Sequence, residues 1–233
     1  MEPSLIQELI HTALEILFEA SGWMGWNMFL ALIPLSLSIY LFRSDDPSTH
    51  WLQTIIPRSQ QRWVWTIGLV VFILFLPNAP YILTDVIHLN RFILEYNSRW
   101  VTGFIIAPLF LVFLTLGFLA YVLSLINVGH FLRRQGYGRW VPAVELALHG
   151  LSAIGVFVGR FPRLNSWYLL TQPGRVIVTL LQTLLSPAGI LGILAGFIVI
   201  TLLYAPGKAV MLAIVADRQK NSRKKRAASV FSE

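Results

Sequence analysis

Five long apolar runs set the terms on which this chain can fold. They are Trp23–Phe42, Trp63–Leu83, Thr102–Val128, Val141–Gly159 and Ala188–Val215. Each holds at most one charged side chain. About 20 apolar residues carry a helix across the hydrocarbon core of a bilayer. Inside that core every backbone N–H and C=O must find a partner within the protein, and a helix supplies those partners itself. The expected fold is therefore all-α: a polytopic membrane bundle of five transmembrane helices. Charged residues make up only 12% of the chain, against roughly 25% in a soluble domain. The runs and their connections leave no room for a separate soluble domain in 233 residues.

The two ends differ in charge. Residues 1–22 hold Glu2, Glu8, Glu15 and Glu19 and no Lys or Arg. That is the wrong charge for a signal peptide, so no cleavage is expected. Glu8, Thr12, Glu15 and Glu19 fall on one helical stripe, with apolar residues around the rest. The segment is expected to form an amphipathic interfacial helix. Residues 217–233 carry six Lys or Arg. Beside a membrane span, such a run points to anionic headgroups and a cytoplasmic address, and not to nucleic acid.

Orientation follows from the basic residues of the short connections. With the N-terminus outside, the outer segments hold five Lys or Arg and the inner segments twelve. The chain is thus expected to be a multi-pass protein of the inner (plasma) membrane, N-terminus outside and C-terminus in the cytoplasm. The chain has no cysteine, which rules out disulfides and thiolate chemistry.

The second run breaks its own pattern. Pro77 and Pro80 each lack an N–H, and each ring crowds the carbonyl four residues back. Asn78 lies between them and can either repair the kink or serve a site. Asp85 and His88 follow, three apart and so on one helical face. They can be an exposed interfacial pair, or an acid that orients an imidazole. Under the orientation above, the loop "GRFPRLNSW" lies on the same side of the membrane, as does Asn27. Arg160 and Arg163 in that loop run against the charge bias and require an anionic partner. Asp85 is the internal candidate and a lipid phosphate the external one. The expected ligand-binding set is Asn27, Asn78, Thr84, Asp85, His88, Arg160, Arg163, Asn165, Ser166 and Trp167. Asp85 and His88 are the catalytic candidates if the protein is an enzyme.

"LPNAPYILTDVIHL", followed some seventy residues later by "GVFVGRFPRLNSW", resembles the bacterial membrane family catalogued as domain of unknown function 1361. The form "N-x-x-L-A-x-x-P", here Asn27 to Pro34, fits as well. The resemblance spans roughly residues 27–215. It implies a multi-spanning membrane protein and no particular activity. The family often has an aspartate ahead of the third span. Here "EYNSRW" stands in that place, with Glu95 the nearest acid.

Glu145 and His149, four apart in the fourth run, could share an intramembrane hydrogen bond or a metal. With two ligands visible, no metal site is expected, and Glu145 reads as interfacial. No sequence motif names a cofactor. Three functions fit: binding of a lipid headgroup or membrane partner at the outer face, an enzyme acting on a lipid-linked or phosphate-bearing substrate, or a small-solute transporter built on the broken span. A reporter that is active only in the periplasm, fused after Glu233, should be silent in cells. Activity there would reverse the orientation.

Overall fold

A computed structural model describes residues 5–43, 58–162 and 168–230. Among these residues there is helix and no strand. The long helices are α1 (Leu5–Phe42), α2 (Arg58–Phe75), α3 (Val86–Tyr96), α4 (Ala107–Arg134), α5 (Val141–Arg160), α6 (Pro173–Leu185) and α7 (Pro187–Val230). Between α2 and α3 lie a short helix, Asn78–Tyr81, and a 3-10 turn, Ile82–Asp85. Five helical stretches are long and apolar enough to cross a membrane: Ile10–Phe42, Arg62–Tyr96, Arg99–Arg134, Gly138–Arg160 and Pro187–Arg218.

The surface is that of a membrane protein. Phe18, Phe104, Leu111 and Leu202 are each more than two-thirds exposed. Water would penalise such a shell, while lipid matches it. The core runs along α4, which packs on α1 along much of its length. Tyr121, Phe110 and Leu125 of α4 are fully or almost fully buried. Near one end, Trp23 of α1 meets Phe110 and Phe113. Near the other, Phe42 packs on Phe72 and Phe131. There Trp65 Nε1 donates to the Leu41 carbonyl at 3.2 Å, which ties α2 to α1. Asn127 of α4 donates to Ser38 of α1 at 2.9 Å. α7 packs chiefly on α5 and leaves much of its length outward.

Two features differ from the sequence reading. The N-terminal segment and the first span form one unbroken helix, Leu5–Phe42, with no turn at residue 22. Ser21 and Gly22 weaken a helix only modestly, and the Ser21 hydroxyl folds back onto the Phe18 carbonyl at 2.8 Å without breaking it. At 1.5 Å per residue its 38 residues reach about 57 Å, well beyond a hydrocarbon core of about 30 Å. The connection between the fourth and fifth runs, read as a loop, contains α6. Its 13 residues span about 20 Å and cannot cross a bilayer.

Glycines receive the broken span. A Cβ on Gly155 of α5 would stand 2.6 Å from the Pro77 ring, and one on Gly117 of α4 would collide with Ile82. The short helix therefore sits between two notches. A rigid proline ring cannot give way, so Gly155→Ala should cost about 1–3 kcal/mol through overpacking. Gly25→Ala, where nothing lies within 4 Å of the new carbon, should be neutral or slightly stabilising. Unfolding in mixed detergent micelles would measure both.

Candidate functional site

The break in the second span is built from local hydrogen bonds. Pro77 and Pro80 cannot donate, so the ladder shifts. The Leu76 carbonyl is taken by the Ala79 N–H at 3.2 Å, one residue early. That leaves the Phe75 carbonyl, which accepts from Asn78 Nδ2 at 3.0 Å. The Pro77 carbonyl accepts from the Tyr81 N–H at 3.0 Å, and helix resumes. Thr84 Oγ1 donates to the Tyr81 carbonyl at 2.7 Å. Asn78 and Thr84 thus each serve the backbone in place of missing donors or tightened turns.

The turn delivers Asp85 into the protein. Its exposure is 1%. Asn27 Nδ2 of α1 donates to Asp85 Oδ2 at 2.7 Å. Arg160, in the last turn of α5, brings Nη1 to 3.8 Å from Asp85 Oδ1. The same nitrogen lies 3.4 Å from the Tyr81 hydroxyl, and the guanidinium carbon is 6.0 Å from the centre of the Tyr81 ring. One carboxylate therefore joins α1, the break and α5. A buried carboxylate needs such partners, because desolvating an unpaired charge costs several kcal/mol.

His88 lies one turn beyond Asp85, half-buried, with its ring centre 4.8 Å from that of Trp23. Among the described residues no hydrogen bond joins it to Asp85, whose partners are Asn27 and Arg160. Glu95 is exposed and pairs with Arg91 at 3.4 Å. Arg91 also reaches Glu19 of α1 at 2.6 Å. Arg163, Asn165, Ser166 and Trp167 lie outside the described residues.

A cleft of about 780 Å³ opens beside this cluster, between α1, the break, α5 and α6. Its walls are apolar: Phe29 and Ile33 from α1, Leu151, Ile154 and Val158 from α5, Val176 and Leu180 from α6. Its polar lining is Asn27, Asn78 and Tyr81. Asn27 and Tyr81 are also partners within the Asp85–Arg160 cluster, so the ion pair lies directly behind the polar rim.

Sequence reasoning missed a second cluster. Glu145 reads as interfacial from its place in the run, but it is buried and bonded to Lys208 and Tyr204 of α7. The available signal was a pair of unlike charges in two otherwise apolar runs. Among the described residues no group of three or more His, Asp or Glu could hold a metal.

The family described as protein of unknown function (DUF1361) matches residues 26–202. The chain belongs to this family. The matched region of the DUF1361 chain contains Asn27, Asp85, Glu145 and Arg160 and ends before Tyr204 and Lys208. No curated protein and no solved structure matches the chain.

The cluster behaves as one unit. Asn27→Ala should cost about 1.5–3 kcal/mol, the loss of a hydrogen bond to a charged group. Arg160→Met should cost more, and Asp85→Asn introduced with it should recover part of that loss. Chemical unfolding in micelles of wild type, Asp85→Asn, Arg160→Met and the double variant would show the coupling. Strict additivity would mean that Arg160 and Asp85 do not interact.

Proposed function

We propose that this membrane protein binds a lipid carrying an anionic headgroup, on the extracytoplasmic side, with the headgroup at Arg160 and an acyl or isoprenoid chain in the cleft. The observation that carries the reading is an apolar cleft whose polar lining, Asn27 and Tyr81, also contacts the Asp85–Arg160 pair behind it. Arg160 makes its contacts to Asp85 and Tyr81 through Nη1 alone. A guanidinium has five N–H donors, and among the described residues Nη1 is the one engaged, which leaves donors for a phosphate or carboxylate. Its side chain is 21% exposed, which keeps it reachable. The cleft's volume lies in the range of small-molecule sites, and its walls suit a hydrocarbon tail.

The charge count along the chain supports the extracytoplasmic placement. Arg163, Asn165, Ser166 and Trp167 follow Arg160 directly in sequence, and their residue types suit completion of the headgroup site. The bonding of Asp85 favours binding over catalysis. Among the described residues its carboxylate accepts from Asn27 and faces Arg160, while His88 acts on it through charge and not through a hydrogen bond. An enzymatic reading rests on His88 alone, as a half-buried imidazole near the cluster.

Native mass spectrometry of the purified protein tests the proposal. Wild type should retain an anionic lipid, and Arg160→Gln paired with Asp85→Asn should lose at least about tenfold in retention while staying folded, equivalent to about 1.4 kcal/mol. His88→Ala should retain it. Wild type that carries no lipid would refute the reading. Conversion of the retained lipid by wild type and not by His88→Ala would replace binding with catalysis.

A further inference from the structure

The second polar cluster lies toward the opposite end of α5 and involves none of the residues above. Glu145 Oε1 accepts from the Tyr204 hydroxyl at 2.7 Å and from Lys208 Nζ at 2.6 Å. Lys208 also reaches Oε2 at 2.7 Å. One turn along α5, His149 Nδ1 lies 2.7 Å from the Tyr121 hydroxyl of α4. The His149 ring centre is 4.6 Å from that of Tyr204. A further turn on, Ser152 is fully buried and interacts with Tyr121. Gly129 of α4 lies beside the carboxylate, where a Cβ would make ordinary contact with Oε1 at 3.6 Å.

Such a cluster is a poor way merely to join helices. Buried ion pairs contribute little net stability compared with well-packed apolar residues. Ionisable groups within membrane spans are costly and commonly mark function. Where its partners sit on α7 indicates which function. Tyr204 and Lys208 stand on either side of Pro206, and Gly207 follows the proline. Pro206 cannot donate to the Leu202 carbonyl, so α7 lacks a ladder bond there and can bend. One carboxylate thus holds the residue before a hinge and the residue after it.

We propose that Glu145 is a proton-binding site whose occupancy sets the angle of α7 at Pro206. With the carboxylate charged, Tyr204 and Lys208 are both held, and α7 continues through the proline as seen. When Glu145 takes a proton from hydronium, it becomes a carboxylic acid and water is released. The Lys208 ammonium then loses its counter-charge. Its side chain is already 22% exposed, and it follows water with the segment beyond the hinge. His149, Tyr121 and Tyr204 face the carboxylate, and the charge of Arg133 on α4 is felt at Tyr204. His149 is the competing proton acceptor.

The absence of cysteine makes the movement measurable. Gln135→Cys after α4 and Val215→Cys on α7 place spin labels at two exposed positions. Val215 lies nine residues beyond Pro206, so a bend of about 20° would carry it roughly 4–5 Å. Pulsed electron resonance on the full chain in lipid nanodiscs would be run from about pH 8 to about pH 4. The labelled protein should shift its distance distribution on acidification. Glu145→Gln should show the acid distribution already at about pH 8. Pro206→Ala should hold the high-pH distribution throughout, and His149→Gln should still respond. The double variant Glu145→Gln with Lys208→Met buries no unpaired charge and should be insensitive to pH. An unchanged distribution in the parent, or a response that survives in the double variant, would overturn the proposal. Loss of the response in His149→Gln would do the same, by placing the proton on the imidazole.

Discussion

In an apolar solvent, no backbone N–H or C=O can be left to water. Most of this protein meets that demand by being unbroken helix. Single prolines at Pro34 and Pro206 leave their helices continuous, and among the described residues the second span breaks from Leu76 to Asp85, where two prolines withdraw two donors. What surrounds it is repair or accommodation. Asn78 supplies an amide to the Phe75 carbonyl. Thr84 closes on the Tyr81 carbonyl. Gly155 and Gly117 leave space for Pro77 and Ile82. The same turn that these residues stabilise turns Asp85 inward, where Asn27 and Arg160 meet it.

The cluster and the cleft therefore share one origin. A straight second span would direct Asp85 differently and would fill the space beside α5 with its own side chains. The kink keeps Pro77, Asn78 and Tyr81 at the cleft wall and Asp85 behind it. Polar rim, ion pair and apolar hollow are consequences of the spacing of two prolines.

Much of the architecture was legible from the chain. Apolar runs of bilayer length identify spans because lipid leaves the backbone few alternatives. The break was also legible, since Pro77 and Pro80 act through local covalent geometry. A partner for Arg160 was expected because its charge ran against the bias of its neighbours, and the structure sets it 3.8 Å from Asp85. The rest depended on which helices adjoin. Glu145 and Lys208 are 63 residues apart, and neither residue alone announces the other. α6 escaped notice because its 13 residues are too few to register as a span. The unity of α1 escaped because a change from mixed to apolar sequence was read as a boundary, although the backbone has no reason to turn there.

Both buried ion pairs consist of one acid and one base. Asp85 is matched by Arg160, and Glu145 by Lys208. A membrane voltage does about 2.3 kcal/mol of work on each elementary charge per 100 mV crossed. On a closed pair the forces oppose and nearly cancel. The two closed pairs therefore add almost nothing to the protein's response to such a field. Opening either pair would end that indifference, because one unmatched charge would then lie within the field.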